Sequence, residues 1–324
     1  MKKSIFSIIL YLIIFIYKSK QEEKHIIHAL FGDIFKSDLI YYGFIDLDKS
    51  EYNIISTLNI DDIGNPRNRK YEILPLTYDP SNDIIFISAI NNLNKTILSV
   101  INATTGSLLY TFNKIPYEII SLQYDIFNKK LFAHIEINNE YLTQIVEIDT
   151  NNGNLKQIFG QIYGVKPTDI STYCPICRKY FLIMFENDHY IYVEVNTSDD
   201  GGISWNVSLN FSPFNIIFNY KTFTMYSIYI NQTNRNILQI GILNRTSGCI
   251  SQVIETISNP THSVLTKFST FDIENNLYYI SNIVTQPFSR EIIYINVNTS
   301  QTMRISLPNT DYNFYAWFIK QFVQ

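Results

Sequence analysis

Short apolar segments alternate with polar turns along most of the chain. In one recurring pattern, an aromatic residue is followed by a polar turn and, eight positions later, by a second aromatic residue. The copies of this pattern begin at Tyr78, Tyr124, Tyr173, Phe218 and Phe271. Apolar runs of this kind, rich in aromatic and β-branched residues and bounded by turn-forming residues, predict pairs of β-strands joined by tight turns.

A second pattern places Asn or Asp directly after an aliphatic residue, at the start of another polar turn. It occurs at Asp46, Asn102, Asp149, Asn196, Asn244 and Asn298, with spacings of 47 to 56 residues. An Asn or Asp side chain at the end of a strand accepts a hydrogen bond from the backbone two residues on, which favours a turn. The regular spacing indicates six copies of one unit of about 48 residues.

Each unit is predicted to hold four strands. In the second unit they are residues 73–78, 83–89, 96–102 and 107–112. The connectors between units each carry a proline, at Pro66, Pro116, Pro167, Pro213, Pro260 and Pro308. A repeated four-stranded unit of this length is typical of propellers, whereas a sandwich keeps no such period. The sequence therefore predicts an all-β fold, a six-bladed β-propeller.

The first unit is one strand short. Residues 25–31, 39–46 and 52–60 match the second, third and fourth strands of the other units, and residues 313–319 match a first strand without followers. Strands from both ends would complete blade one and leave no open edge in the ring. We therefore expect a single domain over residues 21–324, with blade one closed by the C-terminal strand.

The N-terminus has the features of a targeting segment. Lys2 and Lys3 precede an apolar run at residues 5–17, which is short for a membrane span and fits a signal peptide over residues 1–20. No small-x-small cleavage site follows, so an uncleaved signal-anchor is the alternative. We expect a secreted protein, extracellular or in the endolysosomal lumen, with no other membrane span.

Charge argues against one class of partner. Charged residues make up 17% of the chain and the formal net charge is −4. A nucleic-acid binder needs a basic surface, which this acidic, arginine-poor sequence lacks. We therefore expect a protein or glycan partner and no nucleic acid.

One turn resembles a known family motif. Ser198, Asp200, Gly202 and Trp205 fit the S-x-D-x-G-x-x-W pattern of the Asp-box, found in sialidases and other Asp-box propellers. In those families the carboxylate ties a turn between the third and fourth strands, and the Trp packs between strands. The resemblance implies the fold and a structural role. The other turns resemble the looser repeats of YVTN-type and quinoprotein-like propellers.

Sialidase activity is not implied by this resemblance. A sialidase needs three convergent arginines, a Tyr–Glu pair and an acid, and the chain has seven arginines and no Phe-Arg-Ile-Pro segment. No phosphate-binding loop, zinc-protease motif or nucleophile elbow is present either. The sequence predicts neither a metal site nor a cofactor.

Cys174 and Cys177 form a C-x-x-C sequence in the first turn of blade four. Such a pair can be a redox centre, half of a zinc site or a local disulfide. An oxidising compartment and the absence of a predicted helix favour the disulfide. Cys249 is then left over, either as a free thiol or in place of one member of the pair.

The chain is rich in N-x-S/T sequences. We predict glycosylation at Asn94, Asn102, Asn196, Asn206, Asn231, Asn244 and Asn298. Asn210 also fits the pattern but is expected to be a poor acceptor because Pro213 follows its Ser212. The alternative is that Asn is frequent in this chain because it favours turns.

Polar residues follow four of the connector prolines by two positions: Glu118, Asp169, Asn215 and His262. If they begin the innermost strands, they would ring one mouth of the central channel and could bind a ligand or cation. The simpler alternative is that strand ends near solvent are often polar.

We expect a secreted or cell-surface glycoprotein that binds protein or carbohydrate. A glycoside hydrolase or lyase acting at the channel mouth is the second hypothesis.

Overall fold

The computed structural model describes residues 25–33, 39–65, 74–137, 142–198, 201–230, 237–258, 263–285, 288–308 and 312–320. Within these ranges the chain forms six antiparallel sheets of four strands each, and one short helix, α1 (Ile60–Ile63). The sheets are the blades of a propeller. The predicted all-β fold with six four-stranded blades is confirmed.

From the channel outwards, blade one contains β24 (Tyr312–Phe318), β1 (Ile26–Asp33), β2 (Leu39–Asp46) and β3 (Glu51–Asn59). Blade two contains β4 (Leu76–Asp79), β5 (Ile84–Ile90), β6 (Thr96–Asn102) and β7 (Leu108–Ile115). Blade three contains β8 (Glu118–Asp125), β9 (Lys130–Ile137), β10 (Leu142–Ile148) and β11 (Leu155–Tyr163). In the same order, blade four contains β12 (Lys166–Cys174), β13 (Lys179–Glu186), β14 (His189–Asn196) and β15 (Ile203–Ser208). Blade five contains β16 (Ser212–Asn219), β17 (Thr224–Ile230), β18 (Ile237–Asn244) and β19 (Cys249–Ser258). Blade six contains β20 (Ser263–Asp272), β21 (Leu277–Thr285), β22 (Phe288–Asn296) and β23 (Gln301–Leu307).

The blades close into a ring. Each inner strand contacts the inner strands of the preceding and following blades, and the circuit returns from β20 through β24 to β4. The described residues form six hydrophobic clusters, one at each interface between consecutive blades. Because both faces of a blade are covered, a middle strand such as β6 is buried at five consecutive positions. An outer strand such as β15 is mostly exposed.

Blade one is built from both ends of the sequence, as predicted. Strand β24 pairs antiparallel with β1, from His28 opposite Phe318 to Asp33 opposite Tyr312. The predicted fourth strand of this blade is one residue too long at its end. Strand β3 ends at Asn59 because the Asn59 side chain accepts a hydrogen bond from Asp61 N and caps α1.

Two prolines occupy a different place from the one predicted. Pro167 and Pro213 lie inside inner strands, opposite Met184 and Tyr229, instead of in the connectors. The channel side of an inner strand has no paired neighbour, so a proline there removes no ladder bond. Pro116 and Pro308 lie between strands as predicted, whereas Pro66 and Pro260 are outside the described residues.

The turn between the third and fourth strands uses the predicted chemistry with one shift in register. Asn102 Oδ1, for example, accepts hydrogen bonds from the backbone N–H of Thr104 and Thr105, at 3.0 and 2.8 Å. In blade six the acceptor is Asn296 and not Asn298, because β22 ends two residues earlier than predicted. Asn298 instead donates its own N–H to Asn296 Oδ1.

No helix in the described residues is long and apolar enough to cross a membrane. The predicted signal peptide, residues 1–20, lies outside the described ranges.

Candidate binding site at the channel mouth

The inner strands bulge where they line the channel. In β8 and β16 the ladder slips between Ile119 and Ser121 and between Pro213 and Asn215. In β12 the slip spans Pro167 to Ser171, with Asp169 inside it. Bulges bend a strand and redirect its side chains, and they recur next to functional sites.

A small cavity of about 140 Å³ lies in the channel at this level. One side of its lining is polar and comes from blades three to six, with Gln123, Asp169, Ser171, Asn215 and Ser269. The other side is mainly apolar and comes from blades one and two, with Leu74, Leu76, Ala316 and Trp317. The cavity is therefore chemically two-sided.

Hydrogen bonds between neighbouring blades hold the polar side. Gln123 Nε2 donates to Ser171 Oγ at 3.2 Å, and Asn215 Nδ2 donates to Ser269 Oγ. The backbone N–H of Phe218 donates to Thr172 Oγ1 at 3.1 Å. Side chains of one blade thus form hydrogen bonds with polar groups on the inner strand of the next blade.

A wider cavity of about 290 Å³ opens from this polar layer towards the turns that follow the inner strands. Each inner strand contributes one aromatic residue near its end to the wall: Tyr78, Tyr124, Tyr173, Phe218, Phe271 and Phe318. Gln123, Asn215 and Ser269 also line it. We call this cavity the aromatic cup.

The tyrosine hydroxyls of the cup are used inside the protein. Tyr173 donates to Asp125 Oδ2 at 2.8 Å, and Tyr124 is hydrogen-bonded to Asp79. Burial raises the pKa of both tyrosines, and the carboxylates raise it further, so the hydroxyls stay protonated. The rings are therefore the parts of these side chains that remain for contact in the cup.

Exposed apolar side chains stand at the rim of the cup. Phe127, Ile176 and Phe223, in the first turns of blades three, four and five, are 50%, 52% and 56% exposed. The Phe127 ring meets Tyr220 of blade five edge-on, with centroids 6.0 Å apart. Because turns are normally polar, three large apolar residues on consecutive turns form a candidate interaction surface.

The four residues predicted at the channel mouth are only partly brought together. Asp169 and Asn215 line the same small cavity. Glu118 instead lines a separate cleft between blades two and three. His262 lies outside the described residues. The position relative to the bulge explains the difference: Glu118 lies before the bulge of β8, whereas Asp169 lies within the bulge of β12 and Asn215 follows that of β16.

Five of the six cup aromatics, all except Phe318, belong to the aromatic pattern of the sequence, where they indicate only the repeat. The signal that could have identified the rim was the apolar character of Phe127, Ile176 and Phe223 in turns where polar residues are usual.

Cys174 and Cys177 form a disulfide, with Cα atoms 5.3 Å apart, as predicted. Cys177 N also donates to Cys174 Sγ at 2.9 Å. The pair occupies the position of an Asp–Asn clasp in other blades, where Asp125 Oδ2 accepts from Asn128 Nδ2 at 2.9 Å. Cys249 is not in a disulfide.

The Asp-box remains a prediction because Asp200 lies outside the described residues. Ser198 N and Oγ both donate to Asn196 Oδ1, and Gly202 has a φ of 102°. Trp205 is 44% exposed on the outer strand, and its Nε1 donates to Arg245 O of blade five at 3.0 Å.

Of the predicted glycosylation sites, Asn94 and Asn298 lie in turns, and Asn206 lies within β15. Asn94, Asn206, Asn244 and Asn298 are exposed, Asn102 and Asn196 are partly buried, and Asn231 is outside the described residues. Asn102, Asn196 and Asn244 each end the third strand of a blade.

Among the described residues, no group of three or more His, Cys, Asp or Glu side chains is placed to hold a metal ion.

Solved structures share this fold at low sequence identity. No family model and no curated protein matches the sequence. A chain of the nidogen/laminin complex is similar over 91% of this chain and 99% of its own, with a TM-score of 0.60 and 12% identity. TolB from Acinetobacter baumannii has a TM-score of 0.60 and 10% identity, with 90% of this chain and 66% of that chain covered. Hydrazine synthase of Kuenenia stuttgartiensis has a TM-score of 0.51 and 10% identity, with 75% and 68% covered. At these identities the likeness shows the propeller fold alone.

Proposed function

We propose that this protein is a secreted or cell-surface scaffold that binds a partner protein in its aromatic cup. The observation that carries this proposal is the concave wall of six aromatic side chains with Phe127, Ile176 and Phe223 exposed around it. Buried aromatic anchors supply most of the binding energy in protein interfaces. One similar structure is a complex between two proteins, which supports the proposal.

The chemistry of the cup defines the partner. Its wall would accept an apolar or aromatic side chain on a protruding loop, and Gln123, Asn215 and Ser269 below would take a hydroxyl or amide at its tip. A glycoside hydrolase would need two carboxylic acids across the bond to be cleaved. Among the described residues that line the two channel cavities, Asp169 is the one carboxylate. This favours binding over hydrolysis.

Secretion and glycosylation belong to the same proposal. The apolar run at residues 5–17 and the Cys174–Cys177 disulfide support an oxidising compartment. Expression in a eukaryotic secretory host should deliver the chain to the medium, and enzymatic removal of N-glycans should lower its mass. A chain retained in the cytosol, or one whose mass is unchanged, would refute this part.

The binding proposal is tested with purified components. A partner is first captured on the secreted protein and identified, and its Kd is then measured for the wild type and for the double variant Phe127→Ser/Phe223→Ser. We expect binding about tenfold weaker or worse for the double variant. The matched control is Tyr163→Ser/Met303→Ser, because these large residues are 67% and 54% exposed and lie on outer strands away from the cup. Equal affinities for the two double variants would refute the cup as the binding site.

A further inference from the structure

The disulfide turn of blade four is itself part of the aromatic cup. Cys174 and Cys177 close a turn that has only two residues between them. Pro175 lines the cup, and Ile176 is one of the three exposed residues at its rim. Tyr173, directly before the first cysteine, also lines the cup. The disulfide therefore holds the section of wall and rim that blade four contributes.

The equivalent turns of the other blades are closed without sulfur. Blade one has no such turn, because its first two strands come from opposite ends of the chain. In each of the remaining blades the last residue of the inner strand is an Asx whose side-chain oxygen accepts backbone N–H groups of the turn: Asp79, Asp125, Asn219 and Asp272. This turn can thus be closed by hydrogen bonds alone.

Stability gives the disulfide only a small role. A cross-link stabilises a protein by restricting the unfolded chain, and this effect is smallest for the shortest loops. Cys174 Sγ also accepts the N–H of Cys177 at 2.9 Å, as an Asx oxygen does in the other blades. What the disulfide adds to the turn is therefore a bond that thiols can break and re-form.

The two cysteines differ in their access to solvent. Cys174 is fully buried, whereas Cys177 is half-buried and follows the exposed Ile176. A disulfide is opened when a thiolate attacks one of its sulfur atoms and displaces the other. A reductant approaching from solvent therefore meets Cys177 Sγ first, and Cys174 is the leaving group.

We propose that the Cys174–Cys177 disulfide is a redox switch of the aromatic cup, opened by a dithiol reductant; this inference rests on the proposed function of the cup. One thiolate of the reductant bonds to Cys177 Sγ, and the electron pair of the broken S–S bond passes to Cys174 Sγ. The second thiolate then displaces Cys177 Sγ, and the reductant is left as a disulfide. The two electrons and two protons that the cysteines gain come from the two thiols of the reductant.

Reduction removes the covalent closure of the turn. Pro175 and Ile176 are then held by the remaining hydrogen bonds and packing alone. A binding site loses affinity when part of it must be ordered on binding. The reduced cup is therefore expected to bind its partner more weakly, while the sheets, whose ladders contain no cysteine link, remain folded.

The first test needs no partner and uses purified full-length Cys249→Ser, in which the pair supplies both remaining cysteines of the chain. Dithiothreitol is added without denaturant, and free thiols are counted by alkylation and mass spectrometry. We expect both cysteines to react while the melting temperature falls by less than about 5 °C. Thiols that appear only after denaturation, or reduction that unfolds the chain, would identify a purely structural disulfide and overturn the proposal.

Amide hydrogen exchange locates the change. Exchange at residues 176–178 should become at least about tenfold faster after reduction. Residues 126–128, in the equivalent turn of blade three with its Asp125 closure, serve as the internal control and should exchange at an unchanged rate. Unchanged exchange at residues 176–178 would overturn the proposal.

The second test measures the Kd of the partner identified on the secreted protein, with and without dithiothreitol. We expect binding about threefold to tenfold weaker after reduction. The control is Cys174→Asn/Cys177→Thr, which carries the turn chemistry of Asn219 and Thr222 and should have the same Kd under both conditions. A control that responds to dithiothreitol as strongly as Cys249→Ser would overturn the proposal.

Failure of the switch and failure of the cup give different results. If Phe127→Ser/Phe223→Ser weakens binding but reduction leaves the Kd unchanged, the switch is overturned and the cup remains the binding site. If the double variant binds as tightly as its own control, the cup is overturned, and the switch with it.

Discussion

Blade one and blade four are both four-stranded sheets, but different interactions hold them in the ring. Blade four is one continuous stretch of chain, with a disulfide in its first turn and Glu194 bonded to Arg245 of blade five at 3.3 Å. In blade one, β24 and β1 come from opposite ends of the chain, and hydrogen bonds and ring contacts such as Phe31 on Phe314 join them without a connecting turn.

Contacts of the last strand with β1 and with blade two replace the turn that is missing between β24 and β1. Lys320 Nζ, just beyond β24, donates to Asp83 Oδ1 at 3.0 Å and lies 5.9 Å from the centroid of the Tyr78 ring. Leu74 N donates to Tyr315 O at 3.1 Å. Phe318 stacks on His28, with ring centroids 5.3 Å apart. The comparison indicates that closure of the ring depends on how the last strand packs against blades one and two. The stability of blade four depends more on bonds formed in its own turns.

The largest effect is expected from Phe318→Ala. Phe318 is buried between blades one and two, and loss of a buried Phe costs about 3–5 kcal/mol through lost burial and a cavity. Urea unfolding should show this loss. Met303→Ala, on an exposed outer position, should change the free energy of unfolding by less than about 0.5 kcal/mol. A loss for Phe318→Ala as small as that of the control would mean that closure does not depend on β24.

Acid should weaken the same junction. Burial, assisted by Lys320, lowers the pKa of His28 to about 4. The unfolded chain takes up this proton near pH 6.5, so the stabilisation is complete above that pH and is lost as the pH falls towards 4. The expected loss is about 2–3 kcal/mol. Burial also lowers the pKa of His134 in blade three to about 3, so this residue should add a further loss of stability over a wider range of pH.

Melting curves between pH 7 and pH 4.5 test this expectation. The melting temperature of His28→Gln should depend less on pH than that of the wild type, because the contribution of His28 is removed and that of His134 remains. Stability that is constant over this range would contradict it.

A smaller effect is expected in blade four from Glu194→Gln. The buried Glu194 carboxylate accepts from Lys179 Nζ at 2.7 Å and from Tyr192 OH at 2.9 Å, in addition to Arg245. Loss of these charge-assisted bonds should cost about 2 kcal/mol. Glu274→Gln, in the half-exposed pair with Lys221, should cost less than about 1 kcal/mol by the same unfolding measurement. Equal costs for the two variants would show that burial of Glu194 is unimportant.

The smallest effect is expected where one turn chemistry replaces another. In blade five, Asn219 Oδ1 accepts from the N–H of Lys221 and Thr222 at the same turn position as the disulfide. Cys174→Asn/Cys177→Thr should therefore cost less than about 1 kcal/mol. Cys174→Asp/Cys177→Asn should cost about 1–2 kcal/mol more.

The reason for this difference is the neighbouring blade. Asp125 receives the hydroxyl of Tyr173, whereas the position facing Cys174 is Phe218, which has no hydroxyl for a buried carboxylate. Thermal unfolding of both variants under oxidising conditions measures the difference in their stability. A more stable Asp variant would contradict this explanation.

The sequence alone determined the repeat, the number of blades and the closure of blade one. These properties follow from local causes: aromatic and aliphatic strand residues, Asx turns such as that of Asn102, and a first unit that lacks one strand while a spare strand follows the last unit. The position of Cys174 and Cys177 in the first turn of blade four also follows from their place in the repeat. Such signals act over a few residues, so they can be read without knowing what lies beside them.

Only the tertiary structure decided which of these residues meet. Glu118 lies before the bulge of its strand, whereas Asp169 and Asn215 lie within and after theirs, so Asp169 and Asn215 line one cavity and Glu118 another, although all three follow a proline by two positions. The tyrosine and phenylalanine repeat markers become the wall of the aromatic cup because six inner strands converge on one axis. That convergence brings together residues about fifty positions apart in sequence, and it depends on packing between blades, which no local pattern specifies.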